Sequence, residues 1–276
     1  MLVQKSELPQ KCGSFLFLGN MIITSTQHFK QPQKIISLVP SLTELLSYFD
    51  LEKEVIGITK FCVHPKTWFT TKTRIGGTKN INVELIKKLQ PDLVIANKEE
   101  NVKEQIEELA NELNVWVTDV NTLDNALLMI NDIGELTYKS HEASALIALI
   151  KNEFFNYKKP SLKISSAYLI WKEPYMTVGG DTFINDMMKC CGLQNIYEDK
   201  KRYPEITLQE LQSANCQLVL LSSEPYPFKQ KDIDELQKVL PGKKIILADG
   251  EIFSWYGSRL LEAPQYFKEL IKVNGQ

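Results

Sequence analysis

The stretch Asn82–Glu100, NVELIKKLQPDLVIANKEE, is written a second time as TLQELQSANCQLVLLSSEP from Thr207 to Pro225. Each copy reads as a short amphipathic helix, a turn and a buried strand. The copies align without a gap at an offset of about 125 residues, so that Val83 matches Leu208, Ile86 matches Leu211 and LVIA matches LVLL. A spacing this wide exceeds the ~20–50 residues of a solenoid unit, so the repeat points to two half-molecules of similar fold in one chain. The length of 276 residues, with 43% hydrophobic and 24% charged residues, suits two soluble globular domains, each able to bury its own core.

The text between and around the copies alternates strands with helices. Phe15–Leu18 and Met21–Thr24 flank Gly19–Asn20 and read as a β-hairpin. KIISLVP is a β-branched strand ended by Pro40, and SLTELLSYF opens a helix with Ser41 as N-cap and Glu44 at capping-box spacing. EVIGIT (54–59), LVIA (93–96) and VWVT are further buried strands, with VKEQIEELANEL as a helix before the last. From Thr122 a helical apolar spacing runs for about 35 residues until Lys158, Lys159 and Pro160 stop it. At ~1.5 Å per residue that predicts one helix about 50 Å long, a stiff connection where a Gly/Ser linker would swing. The second half repeats the alternation: KISSAYLIW, QLVLLSS and KIILAD as strands, KDIDELQKVL as a helix, and DTFINDMMKCCG as a helix with Asp181 as N-cap and Gly192 as its stop. SRLLEAPQYFKELIKV closes the chain as a helix kinked at Pro264. The expected fold is therefore α/β, two Rossmann-like lobes with mostly parallel sheets joined by one long rigid α-helix. Its expected parts are an N-terminal extension with a hairpin (1–33), an N-terminal lobe (34–120), the backbone helix (121–160) and a C-terminal lobe (161–276).

Several function classes are excluded by composition. A formal charge of -2 with lysines scattered among glutamates provides no basic face, so nucleic acid is not an expected partner. Cysteines 12, 62, 190, 191 and 216 contain no CxxC pair, and His28, His64 and His141 form no HxxxH or HExxH pattern. Neither a zinc knuckle, a disulfide framework nor an intrinsic cofactor is expected, and the thiols read as buried or half-buried. No apolar run approaches the ~18 residues of a membrane helix. The candidate leader SFLFLGNMII is interrupted by Gly19 and Asn20 with no A-x-A site after it, so the chain reads as mature or cytosolic. Gly76-Gly77 and Gly179-Gly180 lack the text of a phosphate loop and read as tight turns.

Together KIISLVPSLTELL, VIGITKFCVHP, RIGGTKNINVELIKKLQPDLVIANKEEN, MTVGGDTFINDMMKCCG and RYPEITLQELQ, running from about residue 34 to the C-terminus, resemble a known family. It is the class of ABC-importer substrate-binding proteins with a helical backbone between lobes, which serve the uptake of vitamin B12, haem and iron siderophores. Within it FCVHP, NKEEN and SSEPYPF look most like the cobalamin-binding branch. The resemblance implies a non-enzymatic, monomeric protein of the periplasm or cell envelope that holds a metal chelate between its lobes with little hinge motion. A corrinoid is the first expectation, an iron siderophore or haem the next, and an ABC permease is the partner.

Residue logic points to the same region, because ligands of parallel α/β sheets bind at the carboxyl ends of strands. Phe61, Cys62, His64 and Trp68 follow the second strand of the first half, and Asn97, Lys98 and Glu99 the third. Trp171, Tyr175, Ser222, Glu224, Tyr226, Phe228, Trp255, Tyr256 and Arg259 occupy the matching places in the second half. Aromatic faces suit a large flat ligand, although each ring alone is equally at home in a core. His64 is a candidate axial metal ligand or a turn residue before proline. Arg259 is a candidate partner for a propionate or phosphate, or for Glu262 on its own helix. In the family an acidic residue on each lobe docks onto permease arginines. Glu84 stands at the first such place, but the second carries Gln209, with Glu210 beside it. Two further readings keep the fold: a tetrapyrrole metal chelatase using His64 with Glu99 or Glu224, and a cytosolic corrinoid carrier or sensor.

Overall fold

Buried, mostly apolar runs form the middle of each sheet, IIS and LVIAN in the first and ISSAYLIW and LVLLS in the second, because a strand covered on both faces has no side turned to water. The computed structural model describes residues 30–161 and 163–274 in full or in backbone, and the backbone of 16–18 and 21–23. Cys12, Phe15, Gly19, Asn20, Thr24 and His28 lie outside the described residues. Contacts divide the chain into two compact units, one of Met1–Asp119 with Met129–Ser144, the other of Val120–Leu128 with Ala145–Gln276.

In the first unit β1 (Leu16–Leu18) and β2 (Met21–Ile23) pair antiparallel with Leu18 opposite Met21, as a hairpin requires. There follow β3 (Ile35–Ser37), α1 (Pro40–Tyr48), β4 (Val55–Ile58), α2 (Lys66–Thr71), β5 (Thr73–Arg74), α3 (Val83–Leu89), β6 (Leu93–Asn97), α4 (Lys103–Ala110) and β7 (Val115–Thr118). The sheet order is β5-β4-β3-β6-β7, all parallel. The chain thus lays strands to one side of β3, then crosses to the other. The winding reverses between β3 and its neighbours, which creates a switch point at their carboxyl ends.

Helix α1 begins two residues earlier than the capping-box spacing predicts. Its N-cap is Val39, and Ser41 lies buried inside the first turn. Pro40 at the first helical position has a fixed φ suited to the helix and no N–H to leave unsatisfied. Thr43 completes the start by donating to the carbonyl of Val39 at 2.9 Å.

The single helix expected to join the halves is two helices, α5 (Leu123–Leu136) and α6 (Ser140–Asn156). Between them Tyr138 adopts a left-handed φ of 60°, and the Lys139 N–H donates to the Gly134 carbonyl at 2.7 Å. A Cβ on Gly134 would lie 2.4 Å from that of Ala143, so the glycine permits the start of α6 to pack on the end of α5. The apolar period runs through the turn unbroken because both helices bury a face, and no glycine follows the last helical residue to mark the stop. Each of the two helices begins in one unit and ends in the other.

The second unit contains β8 (Ile164–Trp171), β9 (Met176–Thr177), α7 (Phe183–Cys191), β10 (Leu193–Asn195), α8 (Leu208–Ser213), β11 (Leu218–Ser222), α9 (Gln230–Val239), β12 (Lys244–Ala248), α10 (Gly250–Ser254), a 3-10 turn (Ser258–Leu261) and α11 (Ala263–Asn274). The order β10-β8-β11-β12 is parallel, and β9 runs antiparallel against the far end of β8, with Trp171 opposite Met176. The switch point here lies between β8 and β11. Thr182, not Asp181, caps α7 by accepting from the Asn185 N–H at 3.2 Å, while Asp181 accepts from the Arg202 N–H. Gly192 ends α7 in the left-handed region as expected. Pro264 produces no kink, since it sits in the first turn of α11, where its missing N–H costs nothing.

The repeated phrase keeps its offset in the fold. Helices α3 and α8 open at Val83 and Leu208, and strands β6 and β11 at Leu93 and Leu218, about 125 residues apart in both cases. In each sheet the repeated strand is the neighbour of the central strand across the switch point. Leu211 of α8 packs with Ala167, Leu169, Val219 and Leu221 on one face of the second sheet. Complete burial of such a leucine contributes roughly 2 kcal/mol, and this fixes the helix over the strand it precedes.

Candidate ligand-binding site at the strand ends

In the first unit the loop after β4 turns Phe61 outward, 51% exposed. The turn is held by the Lys60 N–H donating to the Gly76 carbonyl at 2.8 Å, and the Lys60 ammonium lies 5.1 Å from the Phe61 ring centre. Cys62 is buried beneath, its Sγ 3.1 Å from the Thr43 hydroxyl oxygen, and burial pushes the thiol above its ordinary pKa. A thiol so held is inert. His64 is half-buried at the turn into α2. Trp68, expected to be open to a ligand, is buried at 2% exposure, with the Lys72 ammonium 5.3 Å from its ring centre.

The loop after β6 is built by two asparagines. Asn101 Oδ1 accepts from the Asn97 N–H at 2.8 Å and Asn101 Nδ2 donates to the Thr78 carbonyl at 3.1 Å. Asn97 Oδ1 accepts from the N–H groups of Glu99 and Glu100. Asn97 is therefore a structural residue of the loop. Lys98 projects outward and pairs with Asp119 at 2.6 Å, while Glu99 is half-buried and its carbonyl accepts from Lys79.

In the second unit the end of β8 and the segment after β11 meet through aromatic rings. Trp171, 40% exposed, stands edge to face with Tyr226 at 5.7 Å, and Tyr226 with Phe228 at 4.7 Å. Phe228 is 4% exposed and belongs to the core, with half-buried Tyr175 packed against the same cluster. Phe228 is thus a brace, and Trp171 with Tyr226 presents the accessible ring surface.

Glu224 is engaged from two sides at Oε1, which accepts from Trp255 Nε1 at 2.8 Å and from the Ser254 hydroxyl at 2.7 Å. Burial raises its carboxyl above the ordinary range, partly offset by those bonds. Gly250 makes room for it: a Cβ there would lie 2.5 Å from Glu224 Cγ and 2.6 Å from Ser222 Oγ. Ser222 in turn donates to the Glu224 carbonyl and lies 3.1 Å from the Tyr168 hydroxyl. Trp255 and Tyr256 are buried, at 6% and 5% exposure. The Arg259 guanidinium sits 5.3 Å from the Trp255 ring centre and pairs with Glu251 at 3.2 Å and Glu262 at 3.7 Å. Its charge is balanced within its own unit.

Sequence reasoning missed an open cavity of about 420 Å³ lined by Ser223, Leu247, Ala248, Asp249 and Glu251. These residues lie at the ends of β11 and β12, so the strand-end rule that selected Ser222 and Glu224 applies to them equally. Among the described residues no group of three or more His, Cys, Asp or Glu is arranged to hold a metal ion. The arrangement can enclose apolar surface, stack on rings and form a few directed hydrogen bonds.

On the outer surface, Asn82 caps α3 by accepting from the Leu85 N–H at 3.0 Å, and Glu84 is exposed in the first turn. Gln209 holds the same place on α8 and is also exposed. Glu210 beside it is turned back: its Oε2 accepts from the Thr207 N–H at 2.7 Å, closing a capping box, and that bond lowers its pKa.

Comparison with known proteins gives one consistent assignment. The profile of the periplasmic binding protein family matches residues 35–240. An uncharacterized ABC transporter substrate-binding lipoprotein of Bacillus subtilis is 24% identical over 256 residues, covering 88% of this chain and 81% of its own. A vitamin B12-binding protein of Pectobacterium carotovorum is 23% identical over 255 residues, covering 88% and 90%. Among solved structures, a periplasmic haem-binding protein of Vibrio cholerae superposes with a TM-score of 0.74 at 17% identity, over 87% of this chain and 98% of its own.

Proposed function

The chain belongs to the periplasmic binding protein family, and from that premise we propose that it captures a large, flat metal chelate for an ABC importer. A corrinoid is the first choice and an iron siderophore or haem the next; relatives named for vitamin B12 and haem support this range. The observation that carries the reading is the Trp171–Tyr226 pair at the switch point between β8 and β11, where ring surface is left accessible. A flat macrocycle gains from such faces because Trp and Tyr present wide apolar area and lose little side-chain entropy on ordering. Within the second unit Glu224 is a further candidate contact; Phe61, His64, Lys98 and Glu99 are the candidate contacts at the strand ends of the first unit, with His64 the candidate for a metal bond. No bond of the ligand is made or broken. The chain works outside the cytoplasmic membrane, and the permease meets Glu84 on one unit and Gln209 on the other.

Titration of the purified protein with cyanocobalamin, haemin and ferric siderophores, followed by visible absorbance, tests the reading. Saturable binding of at least one chelate is expected. If none binds more tightly than ~100 μM, equivalent to roughly 5.5 kcal/mol, the ligand class is wrong. The relatives named above are binding proteins rather than chelatases, and Glu224, one of the two carboxylates the chelatase reading offers beside His64, already accepts at Oε1 from Trp255 and Ser254.

A further inference from the structure

Lys172 directly follows the exposed Trp171, yet its own side chain is only 14% exposed. The ammonium lies 2.8 Å from Asp232 Oδ1 and 2.6 Å from Glu235 Oε2. Asp232 is 1% exposed, and its Oδ2 accepts from the Lys229 N–H at 2.9 Å, which caps α9. Lys229 follows Phe228, whose ring holds Tyr226, and Tyr226 holds Trp171. The contacts therefore close a circuit from Trp171 through Lys172, Asp232, Phe228 and Tyr226 back to Trp171.

A buried ion pair is a poor source of net stability, because desolvating two charges offsets most of their attraction. What it provides is geometry, since breaking it strands a buried charge. We propose that Lys172 is a positioning residue for ligand binding: by tying the end of β8 to Asp232 it fixes the angle at which Trp171 meets Tyr226. This rests on the reading of Trp171 as a ligand contact. The hydrogen bonds to Asp232 and Glu235 raise the Lys172 pKa further above its ordinary value, so the tie persists across neutral pH. The pairing of Trp171 with Met176 of β9 holds the backbone at the same point, and the ion pair adds the second fixed point that sets orientation.

The test uses the full chain as Lys172→Met combined with Asp232→Asn, which strands no buried charge, Glu235 being 56% exposed, and keeps an acceptor for the Lys229 N–H, and as Lys172→Arg. Trp68, Trp116 and Trp255 are buried to 2%, 2% and 6% exposure, so acrylamide quenching of the ligand-free protein reports Trp171. In the double variant the quenching constant is expected to rise about two-fold, the room left above 40% exposure when the ring samples more rotamers. Affinity for whichever of cyanocobalamin, haemin and the ferric siderophores the parent binds is expected to fall about ten-fold, as when a supporting group is removed from other binding sites. Lys172→Arg should restore both. Unchanged quenching, or weakened binding without a change in quenching, overturns the proposal. Trp171→Ala separates the two levels. If it weakens binding and the double variant does not, the positioning role alone is lost. If it leaves affinity intact, or none of cyanocobalamin, haemin and ferric siderophores binds the parent protein, the ligand reading of this strand end falls and the proposal with it.

Discussion

Glu224 keeps a carboxyl group in surroundings that penalise its charge. Because burial holds its folded pKa above the unfolded one, the group adds stability fully below the ordinary glutamate pKa and loses it as pH rises through the raised value. Glu224→Gln keeps an acceptor for Trp255 Nε1 and Ser254 and removes the titration. Its stability relative to the parent is therefore expected to improve from pH 4 to pH 7 in urea unfolding; a difference that is flat or declines with pH would show that the carboxyl is not held in this state. The same residue shows the limit of reading single positions. The sequence placed Phe61, Trp68, Trp171, Phe228 and Trp255 at strand ends; Phe61 and Phe228 lie in the loops after β4 and β11, Trp171 is the last residue of β8, Trp68 lies within α2 and Trp255 follows α10. Only Phe61 and Trp171 present large exposed surface, at 51% and 40%. Past the last residue of a strand the two-residue alternation ends, and which way a ring turns is decided by tertiary neighbours that local pattern does not encode. The cavity-lining residues Asp249 and Glu251 lack even an aromatic signal, being ordinary acidic positions at a helix start.

At the level of elements, α3 and α8 use different devices for one purpose. Asn82 caps the first with a side-chain amide, while Thr207 and Glu210 cap the second reciprocally. Thr207→Ala is expected to cost about 1 kcal/mol in urea unfolding, and Gln209→Ala, exposed and outside the cap, to stay within about 0.5 kcal/mol. The reverse order would mean that the glutamine, not the box, holds the helix start. Glu210 has a lowered folded pKa, so its part of the cap is present above the ordinary glutamate pKa and is lost as pH falls through the lowered value. Apolar runs and periodic stretches were legible: β3, β8, β11 and α4 lie within the segments their patterns mark, and β6 and α9 overrun theirs by one residue, Asn97 and Gln230. β9, β10 and α10 were not, because MT, LQN and GEIFS contain neither an apolar run nor a period to read and are held by their neighbours. The break between α5 and α6 was hidden for the opposite reason, since the apolar stripe continues across it.

For the whole molecule, the repeat announced two halves of like topology, and the two parallel sheets with a switch point beside each repeated strand match that. What it did not announce is that the first unit is discontinuous. Residues 129–144 belong to it, among them Ile130, Ile133 and Ala143, which have no exposed surface. Burial of such side chains contributes roughly 1.5–3 kcal/mol each for the larger ones, a sizeable share of the ~5–15 kcal/mol by which domains are stable. A fragment of residues 30–120 is therefore expected to show no cooperative urea transition by circular dichroism, and one of 30–144 to regain it; a cooperative transition in the shorter fragment would refute this. The same discontinuity has a consequence in time. A ribosome that has delivered Asp119 has not delivered all that the first unit is made of, and Ser144 emerges only about 25 residues later, roughly one to five seconds at ~5–20 residues per second. By then the opening turn of α5, which belongs to the second unit, is already synthesised. The two halves are thus not made one after the other like beads; the first is finished only after the second has begun.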